Sequence, residues 1–232
     1  MLKKQMSDEQ KNALTYIQQH ESTSVSYVKV GNSAKNLVVS FAGNAHSGFA
    51  RKSSLMQLKY QRNDFDVIYF RNKDKWYLGG LNGIGKNINH TIAFLKTEFA
   101  KYNKVICTGV SAGGYASLLF GSLLSVDLVF AGSPQTDLDY LLKYPVTKRR
   151  SHSLLKRRKE CSATWKKYSN LSSIICKDVD YYVAVRGDKN TSTCRDLILH
   201  GEYHLDNIIG HINVHVLKTE NELFPKLIEN LK

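Results

Sequence analysis

The residues best suited to chemistry are a serine and its glycine neighbours, in the run Gly109-Val110-Ser111-Ala112-Gly113. An apolar, β-branched stretch, 104–108, precedes this run, and a stretch of small and apolar residues, 115–121, follows it. Strand, Gly-x-Ser-x-Gly and helix form the pattern of a nucleophile elbow, which holds a serine hydroxyl above the sheet edge on a strained turn. The pattern predicts that Ser111 is a nucleophile. The competing interpretation is an ordinary glycine-rich turn between a strand and a helix.

The elbow also predicts where a developing negative charge would be stabilised. The helix that follows directs free N–H groups toward the serine, so the amide of Ala112 is a candidate oxyanion donor. A buried strand predicted at 37–42 ends in a polar loop, which in proteins with such an elbow supplies the second donor. The candidates there are Gly43 and Asn44. His46 lies in the same loop, either lining the site or as an ordinary loop histidine.

A serine hydroxyl becomes a good nucleophile when a histidine takes its proton and a carboxylate holds that histidine. Asp188 directly follows the predicted strand 181–185, so it is the candidate acid, with a structural turn cap as the alternative. The histidine is expected after the last strand, but the loop 218–222 contains none. Asn221 stands where it is expected, and an asparagine side chain cannot accept the serine proton near neutral pH.

Three explanations of the missing histidine stay open. The base has been replaced, and Asn221 marks its position. Alternatively, His204 or His215 acts as the base from an unusual place in the chain. In the third explanation, the protein is no longer a catalyst.

The elements that would position these residues alternate along the chain. A first strand is predicted at 24–30. Buried apolar runs at 37–42, 66–70, 104–108, 127–131 and 181–185 are separated by helical patterns, which indicates a mostly parallel sheet with helices on both faces. One α/β domain over residues 1–232 is expected at this length. Residues 143–177 interrupt the alternation, and we interpret them as a helical cap over the site.

The predicted cap is strongly basic. Residues 143–167 contain ten lysines and arginines and a single acid, Glu160, and the whole chain has a formal charge of +13. Such a charge favours polyanions such as an acidic polysaccharide, and Arg149 and Arg150 are candidate substrate contacts. A solvated helix face is the alternative. The absence of a recognisable nucleic-acid-binding module argues against nucleic acid as the partner.

An aromatic pair, Trp76 and Tyr77, follows the predicted strand 66–70. Loops at the carboxyl edge of a parallel sheet are where ligands bind, so the two rings are candidates for a wall on which a sugar stacks. In the alternative interpretation, they pin the loop to the core.

Composition limits the location and the cofactors. The first residues contain no apolar signal region, and the chain contains no unbroken apolar stretch near 18 residues, so we expect neither a signal peptide nor a membrane span. The four cysteines are scattered and show no metal-ligand spacing. Reduced thiols in a cytoplasmic protein, without a metal site, are therefore expected.

The sequence resembles the α/β-hydrolase superfamily, and within it the small proteins found with bacterial capsule and surface-polysaccharide genes, of the capsule O-acetyltransferase type. The resemblance runs roughly from Leu37 to Leu141. It depends on the elbow with its helix (109–121), on Ala131-Gly132-Ser133-Pro134-Gln135, and on Lys75-Trp76-Tyr77. It implies an α/β-hydrolase fold, an acyl-Ser111 intermediate, Asp188 as the acid and a base histidine after the last strand.

The resemblance also implies a reaction. Acetyl-CoA would be a co-substrate, with no tightly bound cofactor, and a sugar hydroxyl of a surface or capsular polysaccharide would accept the acetyl group. Hydrolysis of the corresponding ester would use the same acyl-Ser111 intermediate. The alternative function is a catalytically impaired hydrolase-fold protein that binds an acidic glycan or a partner protein through its basic cap.

Overall fold

The computed structural model describes residues 7–32, 34–43, 49–71, 76–144, 148–184, 202–211 and 213–231, with only the backbone for 148–151 and 202. The strands are β1 (Tyr27–Val30), β2 (Asn36–Phe41), β3 (Phe65–Phe70), β4 (Lys104–Val110), β5 (Leu128–Gly132), β6 (Asp180–Ala184) and β7 (Val214–Val216). The helices are α1 (Asp8–Ser22), α2 (Lys52–Arg62), α3 (Ile88–Phe99), α4 (Ala112–Leu123), α5 (Leu138–Lys143), α6 (Lys148–Glu160), α7 (Ser162–Tyr168), α8 (Glu202–Asp206) and α9 (Leu223–Asn230), with a 3₁₀ helix at Glu220–Glu222 before α9.

These strands form one seven-stranded sheet in the order β1-β3-β2-β4-β5-β6-β7. All neighbouring pairs are parallel except β1 with β3, so the predicted mostly parallel sheet is confirmed. The predicted first strand, 24–30, is shortened to β1. The Arg71 amide still donates to the Ser26 carbonyl oxygen, in register with the ladder to β3, but the Ser26 amide donates to Asn82 and so leaves that ladder.

Helices cover both faces of the sheet. In β2 the side chain of Val39 packs into a core with α3 and α4, whereas that of Val38 packs into a second core with α1, α2 and α9. Because successive side chains of a strand point to opposite faces, a strand covered on both sides is apolar throughout. This explains why the central strands are continuous apolar runs.

The predicted cap, 143–177, lies between β5 and β6 and contains α6 and α7. Leu154 of α6 and Trp165 of α7 are buried in the α3–α4 core. The Trp165 indole donates a hydrogen bond to Asp139 beside the start of α5, at 3.0 Å. The basic helices are therefore attached to the domain through one apolar side and carry lysines and arginines on the other.

No helix in the described part of the chain is both long and apolar enough to cross a membrane.

Candidate functional site

Ser111 occupies the turn between β4 and α4 in a strained backbone conformation. Its φ is +61° and its ψ is −122°, outside the regions that non-glycine residues ordinarily adopt. The Ser111 amide donates to the carbonyl oxygen of Gly132 at 2.8 Å, and its carbonyl oxygen accepts from Tyr115 at 3.0 Å. One bond fastens the serine to β5 and the other starts the helix, so both neighbouring elements hold the turn in place.

The glycines of the motif allow α4 to approach the sheet. A methyl group at Gly109 would overlap the backbone of Gly113, and one at Gly113 would overlap the carbonyl oxygen of Phe41 at the end of β2. The close approach brings the first turn of α4 against the ends of two strands. The glycine spacing of the sequence motif is thus explained by backbone-to-backbone contact.

We expect Gly113→Ala to destabilise the protein by about 2 kcal/mol or more, because the added methyl must push the helix from the sheet. Chemical denaturation would measure this loss. The matched control is Gly210→Ala, since a methyl group there meets no atom within 4 Å. The control should stay within about 0.5 kcal/mol of the wild type. Equal stability of the two variants would contradict the close approach.

Gly43, a predicted oxyanion donor, lies beside the elbow. A methyl group at Gly43 would be 2.7 Å from the carbonyl oxygen of Val110 and 3.5 Å from Cβ of Ser111. The hydroxyl of Tyr77 donates to the carbonyl oxygen of Ala42 at 2.8 Å and so fixes the backbone just before Gly43. Ala112 is the first residue of α4, where a helix leaves its amides without intrahelical acceptors.

The other two residues predicted in the oxyanion loop, Asn44 and His46, lie outside the described residues, as does the predicted acid, Asp188. The strand that should deliver Asp188 ends at Ala184, beside Gly132 of β5. The chain therefore leaves β6 at the same sheet edge as the elbow.

Trp76 and Tyr77 form part of the core. Both have positive φ, +67° and +59°, and their side chains are 0% and 1% exposed. The Trp76 ring meets Tyr115 edge-on with centroids 6.2 Å apart, and Tyr77 meets Phe41 at 5.5 Å. Burial raises the pKa of the Tyr77 phenol. Rings buried in this way have no face free for a sugar, so these contacts agree with the interpretation that they pin the loop.

Asn221 belongs to the 3₁₀ helix before α9 and is exposed. Its neighbour Glu220 points toward the elbow instead. The Glu220 carboxylate accepts a hydrogen bond from the Ser133 hydroxyl and lies 3.5 Å from the point that a methyl group on Gly132 would occupy. Gly132 pairs with Val110, the residue before the nucleophile.

Arg51 faces Glu220 from the start of α2. Burial lowers the pKa of the Arg51 guanidinium, and the Glu220 carboxylate opposes that shift. The guanidinium also lies over the ring of Phe224, 5.7 Å from its centroid. Neither Arg51 nor Glu220 is among the candidates predicted from the sequence. The signal available was the position of Glu220 in the loop where a base was expected.

The two alternative bases lie in other environments. His204 is 0% exposed, and its Nδ1 atom accepts the backbone N–H of Thr136 at 3.1 Å, so that lone pair is occupied. His215 is exposed, stacks on Tyr182 at 4.9 Å and lies 3.8 Å from Asp180 at the amino end of β6. Hence His215 reaches toward the sheet edge opposite the elbow.

Gln135 ends the stretch 131–135, one of the stretches on which the resemblance to the α/β-hydrolase superfamily depends. Its side chain is buried, and within the described chain neither its amide nitrogen nor its amide oxygen has a hydrogen-bond partner. The preceding Pro134 lies against the first turn of α4, 3.1 Å from the point that a methyl group on Gly114 would occupy. An unpaired buried amide costs about 1–3 kcal/mol, so such groups in native proteins call for an explanation.

Arg149 and Arg150 lie in the first turn of α6, and their side chains are outside the described residues. Further along α6, Lys156 and Arg158 have side chains 68% and 57% exposed. The described cations of α6 and α7 that face solvent are Lys156, Arg158, Lys159, Lys166 and Lys167. They form a basic surface around the helices of the predicted cap.

No protein-family model matches the chain, and no curated protein matches it in sequence. Solved structures do match it. The capsule O-acetyltransferase of Neisseria meningitidis serogroup A has 12% identity and a TM-score of 0.55, over 88% of this chain and 90% of that chain. A mutant of that protein in complex with CoA matches with 13% identity and a TM-score of 0.53, over 87% and 90%.

Hydrolases match equally well. Esterase B from Lactobacillus rhamnosis has 13% identity and a TM-score of 0.56, over 86% of this chain and 77% of that chain. At identities this low, the matches report the fold. Together with the strand order and the strained serine between β4 and α4, they lead to one conclusion: the chain has an α/β-hydrolase fold.

Proposed function

We propose that this protein transfers an acyl group through a covalent acyl-Ser111 intermediate. The observation that carries the proposal is the strained Ser111 at the N-terminus of α4 with Gly43 beside it. Strain at a non-glycine residue persists where the surrounding structure enforces it, and it concentrates at functional sites. An ordinary glycine-rich turn would place a glycine at this positive φ.

The first chemical step would be attack of the Ser111 Oγ on the acyl carbon. Negative charge then develops on the acyl oxygen, and the amides of Ala112 and Gly43 are the proposed donors to it. Asn44 is the alternative second donor. A donor of this kind contributes about 2.7–4 kcal/mol of transition-state stabilisation in measured cases.

For the proton of Ser111 we favour Glu220 as the acceptor, since its carboxylate lies over the residue pair next to the elbow. The proton moves to the carboxylate as the new C–O bond forms. With a thioester as the donor, the C–S bond then breaks and the proton passes to the leaving thiolate. In the second step the carboxylate takes the proton of the accepting hydroxyl, whose oxygen bonds to the acyl carbon. Oγ leaves and regains a proton. We propose Asp188 as a further carboxylate at this edge.

The proposed donor is acetyl-CoA, and the proposed acceptor is a hydroxyl group of a bacterial surface or capsular polysaccharide. Three observations support this finer proposal: the sequence resemblance around the elbow, the fold shared with a capsule O-acetyltransferase that binds CoA, and the basic surface of α6 and α7. An anionic glycan and the CoA phosphates would both be attracted to that surface. Use of acetyl-CoA agrees with a cytoplasmic location, which we also propose.

The test is incubation with acetyl-CoA, alone and with a panel of bacterial polysaccharides. Intact-protein mass spectrometry should detect one acetyl group without acceptor, and peptide mapping should locate it at Ser111. Addition of the correct glycan should transfer the group to sugar, whereas a hydrolase would release acetate at the same rate with or without glycan. Acyl transfer would be overturned if Ser111 were neither acetylated by acetyl-CoA or simple acetyl esters nor phosphonylated by a fluorophosphonate.

A second candidate function is binding without catalysis. The exposed Asn221 in the loop where a base histidine was predicted, together with the basic surface of α6 and α7, favours it. A protein that retains an anionic glycan but never acquires an acyl group would have this function.

A further inference from the structure

A cluster of three tyrosines lies on the outside of the molecule, on α5 and α8. Tyr144, at the end of α5, is 42% exposed, and Tyr203 of α8 is 38% exposed. Tyr140 stands between them, with ring centroids 4.9 Å from Tyr144 and 3.6 Å from Tyr203. We call Tyr140, Tyr144 and Tyr203 the tyrosine cluster.

Hydrogen bonds to Asp137 hold the Tyr203 ring and the start of α5, the helix that carries Tyr140. The Tyr203 hydroxyl donates to Asp137 at 3.0 Å, and the same carboxylate accepts from Asn170 and caps α5 through the amide of Tyr140. Burial and the bond to Asp137 raise the pKa of Tyr203 to about 12, so the phenol stays neutral. Rings held in this way lose little further freedom when a ligand packs on them.

The tyrosine cluster lies near the edge of the sheet at which Ser111 is found. Helix α5 begins six residues after Gly132, the end of the strand beside β4, and Asp137 at its start bonds Tyr203. A cation accompanies the rings, since Lys143 Nζ is 5.3 Å from the centroid of the Tyr144 ring. The basic surface of α6 and α7 follows in the chain.

We propose that the tyrosine cluster binds a sugar ring of the acceptor polysaccharide, outside the reaction centre. Partly exposed aromatic rings such as Tyr144 and Tyr203 pack on the C–H face of a pyranose, the Tyr144 hydroxyl hydrogen-bonds a sugar hydroxyl, and Lys143 attracts the charge of an anionic glycan. Three adjacent rings on two helices suit a repeating chain better than a single small group. The inference rests on the proposed function, because it assigns the site to that reaction's acceptor.

The test uses Tyr144→Ala, because Tyr144 is the most exposed ring of the cluster. The panel glycan most strongly bound by the wild type serves as the probe, with dextran as a neutral glycan. We expect Tyr144→Ala to weaken binding roughly tenfold and Tyr144→Trp to restore it. The matched control is Tyr16→Ala on α1, where the ring is 46% exposed. It should bind like the wild type.

The outcomes separate this inference from the proposed function. Acetylation of Ser111 by acetyl-CoA without glycan should be unchanged in Tyr144→Ala, while transfer to the polysaccharide shows a raised KM. Slower acetylation at low acetyl-CoA concentration would mean that the cluster binds the adenine ring, and the inference would be wrong. Unchanged glycan binding, or no panel glycan bound by the wild type, would also overturn it. If the wild type is not acetylated at Ser111 but binds the glycan through the cluster, only the proposed function is refuted.

Discussion

Ser111→Ala should abolish both the acetylation of the protein by acetyl-CoA and its phosphonylation by fluorophosphonates. The proposed nucleophile is the Ser111 Oγ. In the alanine variant, a water molecule in its place could only hydrolyse the donor, and this reaction leaves no covalent adduct on the chain. In a serine hydrolase with a complete triad, removal of the nucleophile costs on the order of 10⁶-fold in kcat. Mass spectrometry and turnover with acetyl esters would both measure the loss.

The matched control is Ser162→Ala, at the start of α7, where the serine is exposed. It should keep full labelling and turnover. Both variants should unfold at the wild-type denaturant midpoint, because neither change opens a cavity in the core. If the Ser111→Ala variant is still labelled, Ser111 is not the nucleophile.

Glu220→His should raise the rate of Ser111 acylation, by less than the roughly 10²- to 10⁴-fold that a positioned general base contributes in full, because the carboxylate it replaces already accepts the proton. The carboxylate at position 220 lies near Gly132, which pairs with Val110 just before Ser111, so we expect an imidazole at position 220 to reach the elbow. An imidazole is the better base near neutral pH, and Asp188 is the proposed carboxylate to orient it. Single-turnover acetylation measures the change.

The gain in acylation rate from Glu220→His should depend on pH. A histidine accepts a proton only when neutral, so the gain should be present above about pH 6.5 and disappear as the pH falls below that value. Glu220→Gln should lower the wild-type rate, because an amide accepts no proton.

The matched control is Asn221→His, at the position where the sequence pattern predicts the base histidine. Since Asn221 is exposed, its replacement should have the smaller effect. A large gain from Asn221→His with none from Glu220→His would assign the base position to residue 221. If neither substitution changes the rate, this loop does not supply the proton acceptor.

Much of the architecture could be predicted from the sequence because it depends on local patterns. Continuous apolar runs such as 37–42 indicate strands buried on both faces, and their alternation with helices limits the sheet to a mostly parallel one. The Gly-x-Ser-x-Gly spacing predicted the turn at Ser111, since two backbones can approach closely only where side chains are absent. The predicted strand at 24–30 was too long at its start, where the Ser26 amide donates to Asn82 and not to the neighbouring strand.

The tertiary structure decided which residues face the elbow. The sequence left Trp76 and Tyr77 open as a sugar wall or as core residues, and their packing against α4 and β2 buries them. In the loop after β7, the sequence offers Glu220 and Asn221 side by side. Which of the two points inward depends on the 3₁₀ turn and on partners distant in sequence, Ser133 and Arg51. Local spacing thus determines that a serine is raised on a turn, whereas its surroundings arise from contacts between distant segments.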